Sequence, residues 1–135
     1  MTSVRCVVIA AGLGLLVGCS SQPKGEATPG FTVLQDVNDL LQSAAGAAGK
    51  PPARLADVGR YQAMYQRGYD AVKSGEVVVL WGTPLKGEGE AGKDEVVLAY
   101  EKGVPTDGGY VLLSAGTVKK MTAAEFNAAP KGGKK

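Results

Sequence analysis

The sequence predicts a single α+β domain: N-terminal helices, then a three- or four-stranded antiparallel sheet and a short C-terminal helix. Two observations carry this prediction. Between about residues 32 and 73, apolar side chains recur every three or four positions, which is the period of amphipathic helices. After residue 75 the chain changes to short runs rich in β-branched residues, separated by glycine-containing turns that favour antiparallel neighbours.

The first helix is expected to begin at Thr32. Thr32 and Gln35 have the spacing of a capping box, in which each side chain satisfies a backbone donor of the other residue. Gly46, Gly49 and the proline pair at 51–52 are expected to end the helix. Its apolar face is formed by Val33, Val37, Leu40, Leu41, Ala44 and Ala45.

A second helical pattern covers roughly residues 54 to 73, with a break near Gly59 as an alternative. Its apolar stripe consists of Leu55, Val58, Tyr61, Tyr65, Tyr69 and Val72. The three tyrosines are candidates for a binding surface that stacks on a sugar or a peptide. The interpretation we favour is a helix that packs on the sheet with its tyrosine hydroxyls at the edge.

Four short apolar runs predict the strands, at residues 76–81, 95–100, 110–113 and 117–120. The composition of the first run, Glu-Val-Val-Val-Leu-Trp, is typical of a central strand. Trp81 at its end is interpreted as a core residue, and an exposed binding aromatic is the alternative.

The C-terminal helix is predicted by local signals. Thr122 and Glu125 form a second capping-box pattern, and Met121 and Phe126 have the positions of a hydrophobic staple. The helix is therefore expected to run from about residue 123 to 128.

The first eighteen residues have the pattern of a secretory leader. Arg5 provides a positive start, and residues 6–18 form an uncharged run that is shorter than the roughly 20 residues needed to span a bilayer. The run ends in Leu16-Val17-Gly18-Cys19, which resembles the lipobox of bacterial lipoproteins. That resemblance implies cleavage between Gly18 and Cys19 and acylation of Cys19, whose two or three chains anchor a protein stably.

These signals divide the chain into a signal peptide (1–18), a flexible tether (19–30), the α+β domain (31–129) and a disordered basic tail (130–135). The expected location is the bacterial cell envelope, lipid-anchored to a membrane and facing the periplasm or the exterior. Membrane lipid, bound through acylated Cys19, and an envelope protein are the expected partners.

A second resemblance concerns the last hairpin. Residues 109–118, followed by 121–126, are similar to the C-terminal hairpin of pilin-like secreted bacterial proteins. The turn in that family commonly reads Asp-Gly-His, and here Ala115 and Thr117 replace the aspartate and the histidine. The long apolar pilin helix has no counterpart, so the resemblance implies a pilin-like sheet without the helix that drives assembly.

Composition excludes several functions. The chain has no histidine, which excludes Ser-His-Asp triads, Cys-His dyads and histidine-ligated zinc. Its two cysteines are Cys6, in the leader, and Cys19. The net charge of +2 does not indicate a nucleic-acid partner, and no cofactor is expected.

The connection 82–94 carries three carboxylates, on Glu88, Glu90 and Asp94. They are candidates for a calcium site or for an acid–base pair, but calcium needs more oxygen ligands and catalysis needs rigid carboxylates. We interpret the segment as a solvated charged loop.

The sequence therefore predicts an envelope lipoprotein with a non-catalytic binding or scaffolding role. The first alternative is an accessory of a secretion or pilus-like machine, and a weaker one is a carboxylate-based hydrolase.

Overall fold

The structure is a computed structural model that describes residues 28–87 and 94–133. It confirms the α+β class, with helices preceding a four-stranded antiparallel sheet of order β1-β2-β3-β4 and a short C-terminal helix. No helix within these two ranges is long and apolar enough to cross a bilayer. The elements are α1 (Pro29–Ala48), α2 (Leu55–Val58), a 3-10 turn (Gly59–Tyr61), α3 (Gln66–Ser74), β1 (Val77–Val79), β2 (Val97–Glu101), α4 (Val104–Asp107), β3 (Gly109–Leu113), β4 (Val118–Met121) and α5 (Ala123–Ala128).

Helix α1 starts earlier than predicted. It begins at Pro29, whose fixed φ suits the first turn of a helix, and Thr28 is its N-cap residue. The hydroxyl of Thr32 donates to the carbonyl of Thr28, at 3.4 Å, so the expected capping box of Thr32 and Gln35 is wrong. The last two residues of the predicted tether are therefore helical. Gly49 ends the helix in a left-handed conformation, with φ 66°, as predicted, whereas Gly46, also expected to end it, lies within the helix.

The second helical pattern is broken, and the break falls at Gly59. α2, the 3-10 turn and α3 replace the continuous helix. α3 packs closely on α1 because Gly68 has no side chain: a Cβ atom there would lie 2.8 Å from the backbone nitrogen of Val37. The Gly68 N–H also donates to Oδ2 of Asp36 at 2.6 Å. Helix packing thus determines this part of the fold.

β1 is an edge strand, so the prediction of a central position is wrong. Its valines are buried by helices rather than by strands on both sides, since Val77 and Val79 belong to the core beneath α1 and α3. β1 covers residues 77–79, which is shorter than the predicted 76–81. After its last residue, the Leu80 N–H still donates to the Leu98 carbonyl at 2.8 Å.

Two hydrophobic cores cover the two faces of the sheet. The helical core lies beneath α1, α2 and α3, and the α5 core lies on the opposite face. A bulge in β2 interrupts the alternation of its side chains between the two faces. Val97 belongs to the α5 core, and the consecutive residues Leu98 and Ala99 both belong to the helical core. The buried residues of the α5 core are Val97, Val104, Val111, Leu113, Met121 and Phe126.

The structure confirms the predicted bounds of α5 and its predicted capping box. The hydroxyl of Thr122 accepts from the Glu125 N–H at 3.2 Å, and Oε2 of Glu125 accepts from the Thr122 N–H at 2.7 Å. Met121 and Phe126 are both buried in the α5 core. Helix α4 has no counterpart in the sequence predictions.

Residues 130–133 of the basic tail pair with other parts of the domain, which corrects the prediction of disorder for these four residues. Residues 130–133, here called the C-terminal strap, lie parallel to the start of β2. The Val97 N–H donates to the Pro130 carbonyl at 2.9 Å, and the Gly132 N–H donates to the Val97 carbonyl at 2.8 Å. The Gly133 N–H donates to the Thr83 hydroxyl at 2.8 Å. The strap thus extends the sheet where β1 ends.

Lys131 ties the strap to α5. Its ammonium group donates to the carbonyls of Phe126, at 2.8 Å, and of Ala129, at 3.1 Å. It also lies 4.6 Å from the centre of the Phe126 ring. A positive charge at the C-terminal end of a helix satisfies free carbonyls there.

Candidate binding surfaces

The predicted lipidation site lies outside the described residues. This applies to Gly18 and Cys19, and also to Glu88 and Glu90 of the charged connection. The chain enters the described domain at Thr28 and continues directly into α1. Cleavage and acylation therefore remain predictions from the lipobox.

The tyrosine row, Tyr61, Tyr65 and Tyr69, lies on the flank of α1. All three rings are half-buried and pack against the helical core. The Tyr65 hydroxyl is 3.0 Å from Oγ of Ser43 on α1, which holds the ring in place. The Arg60 guanidinium lies 5.5 Å from the centre of the Tyr61 ring. The three tyrosine rings therefore form one side of the helical core, with part of each ring exposed at the surface.

Met64 lies between Tyr61 and Tyr65, in the turn that precedes α3. Its side chain is 69% exposed, and no other large hydrophobic side chain in the described part of the chain is comparably exposed. Beside it is a shallow depression of about 440 Å³, lined by Gly59, Arg60, Gln62, Ala63 and Gln66. Met64 lies outside the predicted apolar stripe, and the sequence patterns did not single it out.

Trp81 lies at the end of β1, away from the tyrosine row. It is half-buried against the helical core, and its neighbours there include Leu41, Pro52 and Leu85. The structure therefore brings the three tyrosines together along one flank and leaves Trp81 beneath the proline-containing connection.

A cleft of about 450 Å³, the proline cleft, opens at the C-terminal end of α1. Its lining is Ala44, Ala48, Lys50, Pro51, Pro52, Ala53, Asp57 and Gly82. Oδ2 of Asp57 accepts from the Ala53 N–H at 2.9 Å, and Oδ1 accepts from Nε of Arg54 at 3.4 Å. The hydrogen bond from the Ala53 amide lowers the pKa of Asp57. This carboxylate shapes the connection, and the cleft walls are largely apolar.

Several carboxylates have a structural use, because each accepts a hydrogen bond from a backbone N–H. The acceptor–donor pairs are Asp36 with Gly68, Asp57 with Ala53, Glu101 with Tyr110 and Glu125 with Thr122. Glu101 also borders a cleft of about 570 Å³ that contains Asp107 and Lys120. Charged hydrogen bonds of this kind fix the backbone segments that donate them.

The calcium and acid–base hypotheses concern a segment that is mostly outside the described residues. Asp94 is described and has a positive φ of 55°. Within residues 28–87 and 94–133, no group of acidic or cysteine side chains is arranged to hold a metal ion. Glu88 and Glu90 are not among these residues, so both hypotheses stay untested.

Comparisons with protein families, with curated proteins and with solved structures give no match for this chain. The case for a function therefore depends on the chain's own residues and geometry.

Proposed function

We propose that this chain is a lipid-anchored envelope lipoprotein whose folded domain has a non-catalytic binding or scaffolding role. The observation that carries the proposal is the position of α1 relative to the predicted anchor. Pro29 lies only ten positions after Cys19, so the lipid would hold the domain by the N-terminal end of α1.

In such an anchored domain, the N-terminal end of α1 is near the lipid anchor and its C-terminal end is far from it. At its start, Gly30 lies beside Glu101 at the end of β2; further along, Asn38 lies beside Gly116 in the β3–β4 turn. A helix of 20 residues is about 30 Å long. The proline cleft, at the C-terminal end of α1, therefore opens at the end remote from the acyl chains, where an envelope partner has access.

The use of four carboxylates as structural acceptors supports a non-catalytic role. A general acid or base must exchange protons with a substrate, whereas Asp36, Asp57, Glu101 and Glu125 are engaged with backbone amides. The chain also has no histidine to take their place.

The anchor is tested by mass spectrometry of the native protein extracted from membranes. We expect a chain that lacks residues 1–18 and carries acyl chains on Cys19. Cys19→Ala should keep the leader and lose the lipid, while Cys6→Ala is the matched control and should be processed normally. A native chain that still carries Met1, or an unmodified Cys19, would contradict the proposal.

The binding role is tested by chemical crosslinking in intact cells, followed by detergent extraction. A scaffold should yield a reproducible crosslinked partner with the lipidated protein, independent of added chelator. Crosslinking that yields only the free chain would count against a scaffolding role.

A further inference from the structure

We infer that the surface around Met64 docks a protein partner that offers an apolar pocket rimmed by carboxylates. The Met64 surface comprises Arg60, Tyr61, Met64, Tyr65 and Arg67. This inference rests on the proposed binding role and assigns that role to one place on the domain.

The residue types of the Met64 surface are those found at the centre of protein–protein interfaces. Methionine, tyrosine and arginine are enriched in protein–protein interfaces, whereas lysine and glutamate are depleted. A flexible thioether adapts to an apolar pocket, and Met64 is 69% exposed. Burial of this side chain removes apolar surface from water only when a partner covers it.

The surface is already ordered in the free domain. The N–H groups of Met64 and Tyr65 both donate to the Tyr61 carbonyl, at 3.0 and 3.1 Å. Tyr65 is also held by Ser43, and Tyr61 lies beneath the guanidinium of Arg60. Binding here immobilises few additional groups, which favours affinity.

Charge identifies the kind of partner. Residues 59–69 contain two cations, Arg60 and Arg67, and no acidic residue. Both arginines are exposed, and carboxylates on a partner complement them. A protein is favoured over an anionic membrane because membrane-binding segments carry about four to eight lysines and arginines.

The experiment places a photoactivatable amino acid at position 64 of the full-length, lipidated protein in intact cells. Position 124, exposed on α5 at the opposite face of the sheet, is the matched control. We expect one discrete protein adduct from position 64 and none from 124, with the crosslinked peptide of the partner rich in Asp and Glu. Arg60→Glu combined with Arg67→Glu should lower the adduct yield on the order of tenfold, as expected for reversed interface charges.

A second variant, Met64→Ser, should also lower co-purification of the identified partner, and both variants should keep the melting temperature of the parent. Adducts to lipid, adducts to another copy of this chain, or a yield unaffected by charge reversal would overturn the inference. An adduct from position 53 in the proline cleft but not from 64 would overturn this surface and leave the binding role supported. No adduct from either position would count against both proposals.

Discussion

The face of the sheet beneath α1 is covered by a helix of 20 residues, whereas the opposite face is covered by α4 and α5, the longer of which has six residues. The helical core contains twelve buried residues and the α5 core six. A long amphipathic helix supplies burial by its length. The short elements on the other face bury less apolar surface. They are held in addition by capping side chains, by Lys131 bonded to helix carbonyls and by the strap.

This difference predicts that the two faces respond differently to loss of side-chain volume. Leu40→Ala in the helical core should lower the free energy of unfolding by about 4 kcal/mol, because α1 is too long to collapse into the cavity. Leu113→Ala in the α5 core should cost about 2 to 3 kcal/mol, because a short helix can shift inward. Urea denaturation measures both, and equal losses would remove the distinction between the faces.

The close contact between α1 and α3 is expected to have the next largest effect. Gly68→Ala places a methyl group against the backbone of Asp36 and Val37, and should destabilise the domain by about 1 to 3 kcal/mol. Gly46→Ala is the control, since a Cβ there meets no neighbour and removes a flexible residue from α1; it should be neutral or stabilising by up to about 1 kcal/mol. Thermal unfolding of both variants measures the contrast, and similar melting temperatures would show that α3 adjusts freely.

The strap should respond locally rather than globally. In Gly132→Ala the new methyl group would overlap the Thr83 side chain, so the strap should detach at a cost of about 1 kcal/mol, in the range of one or two hydrogen bonds. Amide hydrogen exchange at Val97 reports the detachment directly, because that N–H is bonded to Pro130. Gly87→Ala, where a Cβ meets no neighbour among the described residues, is the control and should leave Val97 protected. Unchanged exchange in Gly132→Ala would mean that the strap is not held by this contact.

The smallest expected effect concerns the α5 cap at acid pH. The hydrogen bond from the Thr122 N–H is the main cause that lowers the pKa of Glu125 below its ordinary value of 4.5. A lowered pKa stabilises the fold above the ordinary value, and this contribution is lost as the pH falls through the lowered pKa. Wild-type protein should therefore be slightly more stable than Glu125→Gln near neutral pH and lose that advantage below about pH 4.5. Parallel melting curves from pH 3 to pH 7 would contradict a role for the charge.

The parts of the fold that were predictable depend on local contacts. α5 was predicted with its cap, since both halves of the capping box lie within four residues of chain. The strands and their antiparallel neighbours were predicted from β-branched runs and short turns, whereas the edge position of β1 was not, because a strand covered by helices has the same apolar composition at an edge as at the centre. β1 therefore resembled a central strand although it lies at an edge.

The remaining differences come from contacts between distant residues. The strap pairs with Val97, more than thirty positions earlier in the chain, and no local pattern announces that contact. The tyrosine row is visible as a stripe in the sequence, and Met64, which is not part of that stripe, is exposed in the structure.

The Thr83 hydroxyl links the C-terminal strap to the residue that follows β1, since it accepts from the Gly133 N–H and donates to the Leu80 carbonyl. Trimming by a carboxypeptidase past residue 130 would uncover the amide and carbonyl of Val97. An uncovered strand edge invites aggregation, so the last few residues act as a cover for β2 as well as a terminus.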